Sequence, residues 1–353
     1  MKKLFIFTSV SKVLPLAKNV CSKYDQFELY VQRTSLDSIG WPSNEFTMLN
    51  NMKPADADII LTTETLPIDF IEQLKANAIV IGSLDPHWNI PAVKTLAKKH
   101  VTAFALDLIV RSTKAQYMDV LSSQANLAGY RAVIEGAFYL NRSIPLMITT
   151  AGTLSATKVL VIGAGIAGLQ AIATAKRLGA NVYAFDVRSA TKEQVESLGA
   201  KFVNIELEQQ TGVYATTVDE TTCTAQQQAL AEILPSIDIV ITTAQIPGKP
   251  APIILTKALL SIMKKDAIVI DITTKHGGNC EYYNALQNGE TRILKYDNIL
   301  NNIPKSASIL YAKNAYNFIK HLEQFSLENL EDVDDEIIKS TLLTYKGKIM
   351  HHL

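Results

Sequence analysis

Apolar residues fall along the chain in short runs separated by polar and helix-forming stretches. Residues 4–8, 27–31, 58–62, 78–81 and 102–105 are runs of β-type composition, and residues 91–99 carry a helical pattern between the last two. Strands alternating with helices predict a parallel sheet covered by helices. Residues 114–140 are a long run of good helix formers, with apolar positions at Met118, Leu121, Ala125, Leu127, Val133 and Phe138. Gly129 inside that run marks a bend or a place of close packing, and Pro145 ends the region. Lys158 opens a second alternating region of strand, glycine-rich turn, helix and strand, which continues through apolar runs at 237–242 and 267–271. Residues 312–325 read as a further helix. Beyond it Glu328, Glu331, Asp332, Asp334, Asp335 and Glu336 form an acidic segment, expected to be a solvated face without a specific role, and then a short tail.

Composition narrows the classes that fit. With 353 residues, 48% of them hydrophobic and 19% charged, the chain has material for two globular domains. Lys plus Arg and Asp plus Glu both number 34, so charge gives no reason to expect nucleic acid or an anionic membrane surface as partner. Cys21, Cys223 and Cys280 are widely spaced, which suits unpaired thiols in a reducing compartment. The six histidines are scattered, and no metal site is visible. Met1-Lys2-Lys3 followed by apolar residues has the look of a secretory leader. The apolar run is short and no small-residue cleavage site follows, so a first strand is expected there. The longest apolar stretch, residues 159–175, contains three glycines and is shorter than the roughly 20 residues that span a bilayer.

That stretch carries the strongest chemical signal. Lys158-Val159-Leu160-Val161-Ile162 reads as a buried strand, followed at once by Gly163-Ala164-Gly165-Ile166-Ala167-Gly168, and Gly179 closes the helix after it. Gly163 permits the tight turn, Gly165 lets the backbone approach a pyrophosphate, and Gly168 lets helix and strand pack closely. The amides and dipole at the helix N-terminus then face the pyrophosphate charge. A second strand at residues 181–185 ends at Asp186, placed where a carboxylate accepts from the adenosine ribose hydroxyls and repels a 2′-phosphate. Arg188 pulls the other way, because an arginine there can hold a 2′-phosphate. With the carboxylate present, NAD(H) is the expected cofactor.

The segment from Arg111 to Ala132 resembles the NAD(H)-binding component of the proton-translocating NAD(P) transhydrogenases. It carries Arg111-Ser112-Thr113-Lys114-Ala115-Gln116-Tyr117-Met118-Asp119, then Leu121-Ser122-Ser123, Asn126 and Ala128-Gly129-Tyr130-Arg131-Ala132. The likeness continues through the glycine motif, Phe185-Asp186-Val187-Arg188, the run from Thr191 to Gly199, Ile246-Pro247-Gly248-Lys249-Pro250-Ala251-Pro252, and Gly277-Gly278-Asn279-Cys280. It covers residues 100–320. The resemblance implies Re/Si-specific transhydrogenation, in which the chain holds NAD(H) and exchanges hydride with NADP(H) on a partner, the beta subunit. A membrane-spanning subunit couples the transfer to proton movement. It implies catalytic positions at Arg111, Gln116 and Asp119, with Asp119 pairing with Arg111 and Gln116 bridging to the incoming NADP nucleotide. Cofactor contacts are implied at Arg111, Ser112, Thr113, Gln116, Tyr117, Met118, Asp119 and Ser122, the last reaching the nicotinamide carboxamide. Further contacts are implied at Gly163, Ala164, Gly165, Ile166, Gly168, Asp186, Val187, Arg188, Val213, Tyr214, Gln226 and Gln245. If residues after 114 are helical, Gln116, Asp119 and Ser122 share one face.

The implied architecture is α/β: two Rossmann-like, doubly wound parallel-sheet domains linked by long helices, with the cofactor in the cleft. Residues 1–125 plus 305–353 would form the N-terminal domain, with a C-terminal helix returned to it, and 126–304 the NAD(H)-binding domain. A homodimer is implied, on the cytoplasmic side and peripheral to the inner membrane through the membrane subunit. Three departures set the alternatives. The family's loop over the NAD site reads G-Y-A-x-x-M, whereas here it is Val213-Tyr214-Ala215-Thr216-Thr217-Val218. Gln245 stands where leucine is usual. Leu61-Thr62-Thr63 replaces a lysine-bearing strand end, and an early arginine is missing. The first and third motivate a binding subunit that has lost turnover. The third also counts against alanine dehydrogenase, which needs that cationic pair for a substrate carboxylate and a histidine as acid/base; Asp85 falls near that histidine's place, with His87 close by.

Overall fold

A computed structural model of the chain describes residues 2–8, 27–33, 54–203, 220–281 and 291–351, with side chains at 54–203, 225–281 and 291–351. The strands begin with β1 (Lys2–Thr8), β2 (Phe27–Arg33), β3 (Ile59–Thr62), β4 (Ile79–Gly82) and β5 (Thr102–Ala105). Next come β6 (Met147–Thr149), β7 (Gly152–Leu154), β8 (Lys158–Ile162), β9 (Asn181–Phe185), β10 (Lys201–Phe202), β11 (Ile239–Thr242), β12 (Ile268–Asp271) and β13 (Arg292–Lys295). The chain closes with β14 (Leu342–Tyr345) and β15 (Lys348–Ile349). Two compact units result, residues 1–124 with 303–353, and residues 125–302. Among the described residues no helix is long and apolar enough to cross a membrane.

In the first unit the sheet order is β15-β14-β5-β4-β3-β1-β2. Strands β1 to β5 are all parallel, in the doubly wound order 2-1-3-4-5. Each face of the sheet is covered, as parallel sheets require. On one side Phe70, Ile71, Val93 and Leu96, from helices Ile68–Gln73 and Ile90–Lys98, pack with Ile60, Val80 and Ala103. On the other Tyr311, Ala315, Phe318, Ile337 and Ile338, from helices Pro304–Leu322 and Glu336–Thr341, pack with Leu61, Ile81 and Phe104. The expected tail is corrected: β14 pairs antiparallel with β5 and then turns back into β15. All four residues of β14 are buried, so it completes the sheet.

The long helix also starts later than its composition predicts. It spans Val120–Tyr139 and follows a 3-10 turn at Gln116–Met118. Asp119 stops the α-helix from extending back to residue 114. Its carboxylate accepts the Ser122 amide at 2.8 Å and the Ser122 hydroxyl, which satisfies amides of the first turn. Gln116 and Asp119 therefore do not share an α-helical face.

The second unit's main sheet has the order β10-β9-β8-β11-β12-β13, every pairing parallel. This is the doubly wound order 3-2-1-4-5-6, whose topological switch lies between β8 and β11. Residues of β11 and β12 are buried throughout, which is why their sequences are unbroken apolar runs rather than alternating ones. Gly129 is a close-packing point: a side chain there would meet the Ala167 carbonyl oxygen at 1.9 Å. Cys280 is a free, buried thiol, while the side chains of Cys21 and Cys223 lie outside the described residues. Strands β6 and β7 form a separate antiparallel pair.

The acidic segment contains an exception to its expected solvation. Glu328, Glu331, Asp332, Asp334 and Glu336 are exposed, but Asp335 is buried. Asp335 Oδ1 accepts the Ile337 and Ile338 amides at 3.0 Å each, capping the helix Glu336–Thr341. It also meets His321 Nε2 at 2.9 Å, and Oδ2 pairs with Lys114 Nζ at 2.7 Å. Burial alone would push this carboxyl up, but Lys114, His321 and the Ile338 amide together hold it well below its ordinary 3.8. A carboxyl lowered on folding stabilises the folded chain above that ordinary value, and the contribution fades as pH falls below it. Thermal unfolding of Asp335→Asn should thus lose less stability than the unsubstituted chain between pH 5 and pH 3, flattening the acid limb. Asp335→Ala, lacking the cap as well, should cost about 1–2 kcal/mol or more at pH 7. An unaltered acid limb in the Asn variant would remove Asp335 from the account.

Candidate dinucleotide site

The chemistry-bearing turn sits at the switch point of the second sheet, where the chain leaves β8 and enters the helix Ile166–Arg177. Strand β8 is buried from its second residue onward, so its end cannot shift without opening the core. Gly163 takes φ +94°, and a Cβ there would lie 2.7 Å from Thr243 Oγ1. Gly168 packs still closer, because a Cβ would fall 1.8 Å from the Gly163 carbonyl oxygen. Gly165 is different: a Cβ on it meets nothing within 4 Å. The turn is thus tight against the protein on two sides and open above Gly165. Leu169 makes the first helical bond, to the Gly165 carbonyl at 2.8 Å, so the amides before it have no partner within the helix. Open space over exposed amides at the positive end of a 12-residue helix is what a pyrophosphate requires. These residues fit a dinucleotide.

The neighbouring strand holds the turn from the side. Thr243 donates its hydroxyl to the Gly163 carbonyl at 3.0 Å and its amide to the Ile162 carbonyl at 2.8 Å. Asn279, fully buried, exchanges bonds with Ala244 in both directions, at 3.0 and 2.9 Å, and donates to the Pro252 carbonyl at 2.9 Å. Its own amide is held by Asp271 at 2.9 Å. Asn279 therefore shapes the loop that carries Gln245, a role that no spacing in the sequence announces. Its neighbour Cys280 carries no reactive thiol, since burial pushes its pKa up.

Asp186, at the end of β9, is buried with its carboxylate turned to the turn: Oδ2 accepts the Ala164 amide at 2.7 Å. Arg188 closes on the same carboxylate. Its amide and Nε both reach Oδ1 at 2.9 Å, and Nη2 reaches Oδ2 at 2.9 Å. Hydrogen bonding to Asp186 holds the Arg188 guanidinium more firmly in its charged form. Among the other expected cofactor residues of this unit, Ala164 is buried, Ile166 and Val187 are partly buried and Gln245 is exposed. Gln226 is buried, and its Nε2 donor has no partner among the described residues, so a ligand oxygen would satisfy it. Val213 and Tyr214 lie outside the described residues.

The remaining candidates belong to the first unit and share one loop. Arg111, Thr113, Gln116 and Tyr117 are exposed, Ser112 and Ser122 are partly buried, and Met118 is in the core. The loop is moored to the C-terminal helices. Ser112 Oγ donates to Glu336 at 2.6 Å, Lys114 pairs with Asp335, and the Tyr117 carbonyl accepts from Asn314 at 2.9 Å and Asn317 at 3.1 Å. Asp119 is committed to Ser122 and the helix cap, a structural duty beside the catalytic one the resemblance implies.

At the β3 end the Thr62 hydroxyl bonds the Glu64 carbonyl, and the Thr62 carbonyl accepts Tyr311 at 2.6 Å. Nearby, Asp107 accepts the Leu84 amide at 3.1 Å and the Asp85 amide. Burial pushes the Asp107 carboxyl up, partly offset by those two amides. These groups are acidic or neutral, the opposite of what a substrate carboxylate needs.

The family description "Alanine dehydrogenase/PNT, C-terminal domain" matches residues 132–352, and "Alanine dehydrogenase/PNT, N-terminal domain" matches 43–128. The chain is 46% identical over 311 residues to an NAD(P) transhydrogenase alpha subunit of Rickettsia prowazekii, covering 85% of this chain and 80% of that one. It is 43% identical over 292 residues to the protein of that name from Rhodospirillum rubrum, covering 80% and 76%. The crystal structure of transhydrogenase from Sinorhizobium meliloti superposes with a TM-score of 0.80 at 36% identity, covering 98% of this chain and 99% of that one. Alanine dehydrogenase 1 of Staphylococcus aureus is further away, at 22% identity over 307 residues, 83% of this chain and 77% of that one.

Two substitutions separate the two kinds of glycine. Gly165→Val should leave thermal unfolding nearly unchanged and weaken NADH binding at least about tenfold, by filling the space a pyrophosphate needs. Gly168→Ala should destabilise the unit by about 1–3 kcal/mol or more, because its methyl meets backbone. NADH titration and melting of both variants check this, and NADH affinity unaffected by the valine would move the dinucleotide elsewhere.

Proposed function

The chain belongs to the alanine dehydrogenase/PNT family, and we propose that within it the protein is the NAD(H)-binding subunit of a proton-translocating NAD(P) transhydrogenase. The observation that carries this reading is the 46% identity to a transhydrogenase alpha subunit over 85% of the chain, with the glycine turn intact and open. Alanine dehydrogenase shares the fold, but the groups at the β3 to β5 ends supply no cation for a substrate carboxylate.

Bound NAD(H) supplies a nicotinamide carbon that gives or accepts hydride. The chain's residues then have a positioning task, since hydride transfer between two nicotinamides moves no proton at carbon and needs no protein acid or base. The amides around Gly165 and the helix dipole hold the pyrophosphate. Asp186 accepts from the adenosine ribose, and Gln226 offers its unpaired donor. Arg111 and Gln116, on the moored loop, take the roles toward the nicotinamide and the partner's nucleotide that the resemblance implies. NADP(H) sits on the beta subunit, and proton movement belongs to a membrane-spanning subunit. This chain then lies at the cytoplasmic face of the inner membrane through that subunit.

A homodimer fits the surface of the second unit. Ile148 is 78% exposed on the β6–β7 ribbon, with Leu146, Met147 and Leu154 beside it, an apolar set that a second copy would cover. Ile148→Glu should convert a dimer to a monomer in sedimentation; a mass unchanged by the glutamate would place the interface elsewhere.

Activity is tested by hydride transfer from NADH to NADP⁺ with the purified chain, alone and with a transhydrogenase NADP(H)-binding component. Transfer only in the presence of that component, and no NADH oxidation by pyruvate with ammonia, is the expected result. Pyruvate-dependent oxidation would make the chain an alanine dehydrogenase. NADH binding without transfer would make it a subunit without turnover.

A further inference from the structure

Asp186 has no acceptor capacity left over. A carboxylate offers about four lone-pair sites. Four donors of this chain meet it: the Ala164 amide at 2.7 Å, the Arg188 amide at 2.9 Å, and Arg188 Nε and Nη2 at 2.9 Å each. The two amides are fixed by the backbone of the turn and of the β9 end. The two guanidinium donors ride on a side chain with free torsions, so they are the ones that can leave. Both partners are largely shielded, with 6% of the Asp186 side chain exposed and 17% of that of Arg188. No hydroxyl reaches the carboxylate without moving the arginine.

We propose that Asp186 and Arg188 act as one selectivity element, in which Asp186 sequesters Arg188 from a 2′-phosphate and ribose hydroxyls replace the guanidinium donors one for one. The proposal rests on the NAD(H) reading of the glycine turn. An unphosphorylated ribose brings two hydroxyl donors and leaves Asp186 fully satisfied when Arg188 swings away. A 2′-phosphorylated ribose brings an anion in place of one donor. It then faces the carboxylate directly, while the guanidinium that would neutralise it stays bound to that carboxylate. Discrimination is therefore built from a withheld attraction as well as a repulsion. Arg188, which on sequence alone argues for NADP(H), serves NAD(H) selectivity because of where its side chain lies.

The test is isothermal titration of the full chain with NADH and with NADPH, in four forms: unsubstituted, Asp186→Asn, Arg188→Ala and the double variant. Thermal unfolding confirms each is folded, and Asp186→Ser replaces the asparagine form should that fail. The unsubstituted chain should bind NADH and discriminate against NADPH. Asp186→Asn should gain about tenfold to a hundredfold in NADPH affinity, the scale of a charge-assisted bond to phosphate. That gain should vanish in the double variant, and Arg188→Ala alone should tighten NADH several-fold by removing donors that must be displaced. A double variant that binds NADPH as tightly as Asp186→Asn overturns the proposal, as does weaker NADH binding by a folded Arg188→Ala. Absence of NADH binding by the unsubstituted chain overturns the dinucleotide reading itself, and the proposal with it.

Discussion

The contact between the start of the helix Ile166–Arg177 and the end of β8 is the constraint from which the rest of the nucleotide unit follows. Gly168 brings the helix so near that a methyl group would fall 1.8 Å from the Gly163 carbonyl oxygen. Only that approach leaves the helix N-terminus in line with the strand end and its amides clear of the protein. Thr243 clamps the same carbonyl from the end of β11, and Asn279 fixes the loop after Thr243. The switch point is therefore a rigid seat with one open side. Positioning is all that hydride exchange asks of the protein, and rigidity at the seat is how the fold provides it.

Each unit also carries one buried carboxylate that is fully engaged, and the two do different work. Asp335 joins a helix cap, His321 and Lys114, so the loop bearing Arg111 and Gln116 is tied to the C-terminal helices of its own unit. Removing any one partner leaves the others buried and unpaired, which makes such clusters costly to break. Asp186 is engaged by two immovable amides and one movable side chain. The first arrangement holds a loop still, while the second leaves a component that a ligand can displace.

Several elements are legible in the sequence because local pattern decides them. The runs that form β3, β4, β5, β8, β9, β11 and β12 are apolar and bounded by turns, and the glycine motif specifies its own strand, turn and helix. What escapes depends on distant partners. Strand β14 pairs with β5 more than 230 residues earlier, so nothing near it marks it as sheet rather than tail. Asp335 reads as one acid in a solvated run until His321 and Lys114 are brought to it. Composition carries the long helix back to residue 114 because residues 114–119 have no strong breaker, while Asp119 ends it by capping. Arg188 shows the same limit within the site: its spacing from Asp186 is plain in the sequence, but not that it folds back on the carboxylate.

A crystal structure of the full chain with NADH bound would test the central claim most directly. The account predicts the pyrophosphate against the amides above Gly165, the adenosine ribose on Asp186, and the Arg188 side chain moved off that carboxylate. A dinucleotide bound elsewhere, with the Gly163–Gly168 turn empty and Arg188 still on Asp186, would contradict it.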